Sequence, residues 1–540
     1  MVVTAQHLAT RVGVDVLKRG GTAIDAAIAV GYALAVTYPA AGNLGGGGFM
    51  TIYFADGRKT FVDFRETAPL AAKPDMYLDA KREVIADLSV RGHLAVGVPG
   101  TVSGLEYVRT KYGTWARPAL IAPSIALAEQ GFVLEQGDVD LLNEATTDFR
   151  KDRPSAAIFL RPDGAQFKTG ERLVQKDLAA TLRAVNDRGV DGFYKGTVAD
   201  ALVAASRAGK GIIVQADLDK YATREFPPIE CDYRGLHVIS APPPSSGGVV
   251  LCQVLQVLEG YPLRELGFGA AQGIHYQIEA MRHAFVDRNF LLGDPDFVKN
   301  PVERLLDKRY AQRIRAAIDP KRAGVSSQIA QGVPPHEGTH TTHYSIADKA
   351  GNAVSVTYTL NDWFGARVTA AGTGVLLNNE MDDFTAKPGV PNLYGLVQGA
   401  ANRIEPGKRP LSSMTPTIIT RDGKALMVVG KPGGSRIVTG VLLAILNVID
   451  YDMDVQEAVD APRFHQQWLP DATIIEDFTL NPDSRRILTG MGHQFTGPDV
   501  DNHVAAILIG APALSAQPIG SSRFYGAIDP RQGTGLAMGY

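Results

Sequence analysis

The stretch "EGTHTTHYSIAD", Glu337 to Asp348, sets two threonines between two histidines at the head of an alternating segment. His336, His340 and His343 are spaced by four and three residues, as metal ligands could be, while Thr341 and Thr342 offer a hydroxyl nucleophile. The metal reading is the weaker one. HExxH is absent, and "PPHEG" is poor material for the helix that such a spacing needs. A threonine hydroxyl becomes a competent nucleophile when the residue's own α-amine acts as base, after cleavage of the preceding peptide bond. That chemistry wants a threonine at the first position of a strand, directly after a mobile peptide. "SSQIAQGVPPHEGTH", Ser326 to His340, is rich in Gly, Pro and polar residues and reads as that exposed segment.

The flanking sequence supplies the strands. "THYSIADKAGNAVSVTYTLN" reads as a hairpin turning at Gly351-Asn352, and "FMTIYFADGRKTFVDFRE" as a second one turning at Asp56-Gly57, with Arg65 and Glu66 at its end. Upstream, two helices divide at Gly20-Gly21. The second, "TAIDAAIAVGYALAVTYP", has Thr22 as its N-cap and is apolar on nearly every side, so it belongs inside the molecule. "AGNLGGGGFM" lacks the spacing of any phosphate-binding loop and reads as close backbone packing. From about Pro69 to Ile329 the chain alternates helical stretches with loops. Within it "PPPSSGG" lacks the G-x-S-x-G elbow and reads as a connection into the helix "VVLCQVLQVLEG".

At 540 residues the chain can bury a large core, and length alone would allow about three or four domains. Hydrophobic residues make up 45% and charged ones 21%, with a formal net charge of -3, which argues against a nucleic-acid binder. The longest apolar run, "IVTGVLLAILNVI", is too short to span a membrane and reads as a core helix. The N-terminal residues lack the pattern of a secretory leader. Of the two cysteines, Cys231 and Cys252, neither sits in a CxxC, and two buried free thiols are the expected state.

Taken together, "TTHYSIADKAGNAVSVTYTLN", "LLNNEMDDF", "RPLSSMTPTI" and "GKPGGSRI" resemble the γ-glutamyltransferase family of N-terminal nucleophile hydrolases. "VDFRETAP", "PPPSSGG", "LLGDPDF", "DAPRFHQQWLP" and "YGAIDPR" extend the resemblance, in the family's order, over the whole chain. It implies an α/β fold of the αββα four-layer kind, built jointly by a large subunit (residues 1–340) and a small one (341–540) cut from one precursor between His340 and Thr341. By the same resemblance Thr341 is the nucleophile and Thr359 its supporting hydroxyl. Asn361, Glu380 and Asp383 hold the substrate's α-ammonium; Arg65, Ser412 and Ser413 hold its α-carboxylate; Gly433 and Gly434 form the oxyanion hole.

The chemistry of each residue agrees with its implied place. A zwitterionic head group needs acceptors on one side and a planar cation with hydroxyls on the other. The family's substrates are glutathione and other γ-glutamyl compounds, with water, amino acids or peptides as acceptors, and it uses no cofactor and no metal. Periplasmic or secreted localisation follows by analogy, with a cytoplasmic one left open. "KPGVPNLYGLVQG", Lys387 to Gly399, matches a lid that some members have, with Tyr394 covering the cleft and its hydroxyl in water. Lys431 departs from the small or polar residue expected before "PGG", and Asp362-Trp363 lie where the family varies.

Overall fold

Two antiparallel sheets lie at the centre of the computed structural model, which describes residues 1–329, 341–497, 503–519 and 523–540. Across the first sheet the strands run Leu536–Met538, Val2–Thr4, Thr342–Ala347, Ala353–Thr359, Gly47–Tyr53, Lys59–Asp63 and Arg224–Phe226. Across the second they run Phe524–Ile528, Ala505–Ile509, Lys424–Gly430, Thr417–Arg421, Leu236–Ser240 and Ile229–Tyr233. Both expected hairpins are present, at the expected turns.

The period of two sorts each strand's side chains between layers. Tyr344, Ile346, Val354 and Val356 pack outward against the helix Ala23–Thr37, every residue of which is buried. That helix is capped by Thr22, as expected, in a reciprocal pair with Asp25. The alternate residues Ala347 and Ala353 face the second sheet, where Ile239, Ile418, Val428 and Ile507 complete the layer between the sheets. Beyond the second sheet lie the helices Gly247–Leu258, Ala271–Leu291 and Arg436–Ile449. Helix, sheet, sheet, helix is the αββα order.

Glycines let the first sheet reach its closest approach. A Cβ on Gly46 would stand 2.0 Å from Thr359 O, and one on Gly48 would stand 2.4 Å from Tyr358 Cβ. "GGGG" is therefore a packing device and not an anion cradle.

Four features depart from the sequence reading. Val2–Thr4 is a strand, although three residues show no periodicity before their partners are known. Leu236–Ser240 and Ile229–Tyr233 are strands inside a region read as helices and loops. Ser326–Ile329 is a helical turn rather than exposed coil: Ser326 is buried and donates to Trp468 O (2.6 Å), while the rest of that segment, with His336 and His340, lies outside the described residues. Finally, Cys231 and Cys252 are joined in a disulfide, not free. It ties the edge strand Ile229–Tyr233 to the helix Gly247–Leu258 across a sequence separation of 21 residues. Closing a loop of that length restrains the unfolded chain by about 3 kcal/mol. Replacing both cysteines by serine should therefore lower the unfolding free energy by about 2–4 kcal/mol in a denaturant titration. Reductant should weaken the parent protein similarly and leave the variant unchanged.

Candidate active site

Thr341 stands at the mouth of the strand Thr342–Ala347, which is paired on one side with Val2–Thr4 and on the other with Ala353–Thr359. Thr359 ends the neighbouring strand and donates its hydroxyl to Thr341 Oγ1 at 3.4 Å. The Asn361 N–H donates to Thr359 Oγ1 (2.8 Å), which fixes the direction of that chain of hydrogen bonds. Asn361 itself adopts φ 81°, a left-handed conformation that asparagine tolerates. Its side-chain N–H donates to Asn379 O (3.0 Å), leaving the amide oxygen to accept.

A small cavity opens from Thr341, lined among others by Arg65, Asn361, Glu380, Asp383, Ser412, Ser413 and Gly434. Gly433, one residue before the lining, has φ 118° and Gly434 φ 53°. The two precede the helix Arg436–Ile449, and neither N–H has an acceptor among the described residues. Free N–H groups at a helix start, beside a hydroxyl nucleophile, suit a developing oxyanion.

The charged groups are arranged differently from the sequence reading. Arg65 was assigned to a carboxylate and Glu380 and Asp383 to an ammonium, as opposite walls. Here Arg65 Nη1 pairs with Glu380 and Nη2 with Asp383, and Nε donates to Pro410 O (3.3 Å). Opposite charges buried side by side neutralise one another. Glu66 joins the cluster at 3.7 Å from Arg65. Neither oxygen of Glu66, nor Oε2 of Glu380, finds a donor among the described residues. Both carboxyls are held toward their neutral forms. Burial pushes Glu66 up to about 7 against the pull of Arg65, and burial raises Glu380 well above the ordinary carboxyl range.

The two serines are held by a loop that sequence reasoning dismissed as a connection. Ser246 N–H and Oγ–H both donate to Ser412 O (2.8 and 2.7 Å), and Ser245 Oγ–H donates to Met414 O (2.6 Å). Sequence reasoning also missed Arg288, from the helix Ala271–Leu291, which lines the cavity. The one hint was "DRNF", directly before the family-like "LLGDPDF", which says nothing about Arg288 without the resemblance.

The family profile described as Gamma-glutamyltranspeptidase matches residues 9–539. The chain belongs to the γ-glutamyltranspeptidase family. It is 68% identical to a glutathione hydrolase proenzyme of Pseudomonas sp. (strain A14), covering 100% of this chain and 94% of that protein. It is 46% identical to the glutathione hydrolase proenzyme of Escherichia coli (strain K12), covering 100% of this chain and 92% of that one. Among solved structures, a cephalosporin acylase from Bacillus halodurans superposes with a TM-score of 0.85 at 27% identity, covering 100% of this chain and 95% of its own.

The family's variable positions are buried here. Tyr394 closes the cavity: its ring lies against Gly434, where a Cβ would stand 2.2 Å from Tyr394 Cδ1, and its hydroxyl donates to Asn361 O. That hydroxyl is buried, not in water. Lys431 does not point to solvent; it is buried with its stem over Gly440. Asp362 is held by Arg91 at 2.6 Å, and Trp363 stands edge-on to Tyr38.

Of the three histidines that suggested a metal, only His343 is described. It is turned between the sheets toward Thr357 Oγ1 (2.8 Å) and Ser345 Oγ (3.0 Å), and burial holds it neutral, with a pKa of about 3. Among the described residues one other cluster, His275, Glu279 and His493, has ligand spacing. His275 Nε2 faces Asp319 O (2.8 Å) and so carries the proton, and His493 Nε2 then donates to His275 Nδ1 (2.8 Å). Arg282, 3.4 Å from Glu279, opposes a further cation.

Glu66 gains its negative charge as pH rises through about 7, and a further negative charge in the cluster favours a cationic ligand group. KM for a γ-glutamyl donor should therefore fall as pH rises through about 7, and Glu66→Gln should remove that limb from the KM profile. A KM that is flat from pH 6 to 8 in the parent enzyme would refute a role for Glu66 titration in donor binding.

Proposed function

We infer that this chain is a self-cleaving γ-glutamyltransferase and glutathione hydrolase. The observation that carries it is the cavity, which brings the Thr341 hydroxyl, two free backbone N–H groups and a cluster of opposed buried charges together around one small space. A glutaryl acylase would need the cation and the serines, but it has no use for acids beside them. A γ-glutamyl-binding protein that never matures would need neither Thr359 nor the free N–H groups.

Maturation begins when Thr341 Oγ attacks the carbonyl of His340. The peptide shifts to an ester, and water hydrolyses it, leaving residues 1–340 and 341–540 as large and small subunits. The first sheet supports their staying together, because Thr342–Ala347 hydrogen-bonds to Val2–Thr4 of the other fragment and Ala353–Thr359 to Gly47–Tyr53. The new α-amine of Thr341 then takes the hydroxyl proton as its oxygen attacks the γ-carbonyl of the donor. The Gly433 and Gly434 N–H groups receive the oxyanion, and the amine leaves with the proton. Water releases glutamate from the γ-glutamyl ester; an amino acid or peptide takes the acyl group instead. Arg65, Ser412 and Ser413 hold the α-carboxylate, and Asn361, Glu380 and Asp383 the α-ammonium, which exchanges the Arg65 ion pairs for pairs with substrate. Among the described residues no helix is long and apolar enough to cross a membrane. The disulfide supports an oxidising compartment, periplasmic or extracellular.

Purified protein should resolve by mass spectrometry into two fragments, the smaller beginning Thr-Thr-His-Tyr-Ser, and Thr341→Ala should remain one chain. A small fragment with another N-terminal sequence would remove the nucleophile assignment. The strap from Lys387 to Gly399 is the second test, since Tyr394 joins Asn361 to Gly434 across the cavity. Replaced by a short Gly-Ser link, it should leave cleavage intact and raise kcat/KM for bulky γ-glutamyl donors relative to small ones. An unchanged ratio would mean that the strap is not a lid.

A further inference from the structure

Each nitrogen of Arg65 is engaged by the protein: Nη1 with Glu380, Nη2 with Asp383 and Nε with Pro410 O. The second guanidinium lining the cavity is placed differently. Arg288 is 1% exposed, and every acceptor it meets is neutral. Its Nη1 donates to Gln398 Oε1 (2.8 Å) and Asn289 Oδ1 (3.2 Å), its Nη2 to Ser413 Oγ (3.2 Å) and its Nε to Ser246 Oγ (3.3 Å). It pairs with no carboxylate among the described residues. A buried cation without a counter-ion is costly, and its cost is offset when an anionic ligand arrives.

The serines show where that anion goes. A hydroxyl has one proton and two lone pairs, so a donor seated on its oxygen turns the proton elsewhere. Ser412 Oγ accepts from the Met414 N–H (3.0 Å), and Ser413 Oγ accepts from Arg288. Neither proton has an acceptor among the described residues, and both serines line the cavity. Both hydroxyls are thus set as donors to a ligand.

We propose that Arg288 is a positioning residue for the α-carboxylate of the donor: it orients the Ser413 hydroxyl as a hydrogen-bond donor and adds its own unneutralised charge behind it. Through Gln398, whose Nε2 donates to Asp383 O (3.1 Å), Arg288 also ties the carboxylate side of the cavity to the ammonium side. Burial lowers its pKa to about 10, with Asp383 pulling upward and Arg65 downward, so it remains charged at neutral pH. The inference rests on the γ-glutamyl reading of the site.

The test compares kcat/KM for two p-nitroanilides, γ-glutamyl and 4-aminobutanoyl, which differ only in the α-carboxylate. In Arg288→Gln, kcat/KM for the γ-glutamyl donor should fall about thirtyfold or more, while that for the 4-aminobutanoyl donor changes less than about threefold. Arg288→Lys keeps the charge but reaches one of these oxygens at a time, and should show a smaller loss confined to the same donor. Equal losses on both donors, or none on either, would overturn the role given to Arg288. So would failure of both variants to cleave at Thr341, which would make the side chain a requirement of the fold. Absent turnover of the γ-glutamyl donor by the parent enzyme would overturn the γ-glutamyl reading itself, and this role with it.

Discussion

Everything at the site depends on the strand Thr342–Ala347 being held from both sides. Its left-hand partner is Val2–Thr4 and its right-hand partner Ala353–Thr359, so the start of the strand has no freedom to shift along the sheet. A slip of one residue would turn His343 and Ser345 into the helical layer and Tyr344 and Ile346 between the sheets. Tyr344 would lose its bond to Ala27 O (3.0 Å), and Ser345 its bond to Ala505 O (3.1 Å). Register, enforced by contacts on two faces, is what brings the Thr341 oxygen to the hydroxyl of Thr359.

The pocket beyond that oxygen is an electrostatic cluster assembled before any ligand arrives. Three carboxyls and two guanidinium groups are buried around it: Arg65 meets Glu380 and Asp383, burial raises Glu66 and Glu380 toward their neutral forms, and Arg288 meets four neutral oxygens. A zwitterion adds one charge of each sign. It can therefore enter by exchanging partners, without leaving a buried charge alone. A ligand bearing only one of those charges would upset the balance.

Much of the framework was legible in the sequence because it rests on local signals. The hairpins at Gly351-Asn352 and Asp56-Gly57 announce themselves by alternation and turn chemistry, and Thr22 by its place before an apolar helix. The site was legible only through resemblance, since Arg65, Ser412-Ser413 and Gly433-Gly434 are short fragments with ordinary meanings elsewhere. What stayed hidden is what depends on proximity in space. Val2–Thr4 is a strand because it finds Thr342–Ala347 and Leu536–Met538, far away in the chain. Cys231 and Cys252 meet because a strand lies beside a helix. Arg288 sits in a helix of mixed polarity, and nothing local distinguishes it from a surface arginine.

The pairing of Val2–Thr4 with Leu536–Met538, with Val2 opposite Met538, carries a consequence for engineering. These strands run antiparallel, so a bridge of a few residues between Tyr540 and Met1 would make a hairpin of them. Opening the chain between His340 and Thr341 would then give a circular permutant whose first native residue is Thr341. Once its initiator methionine is removed, such a chain would carry the Thr341 hydroxyl and α-amine from synthesis, with no His340–Thr341 bond to cleave. On the proposed mechanism, maturation and turnover would become separable.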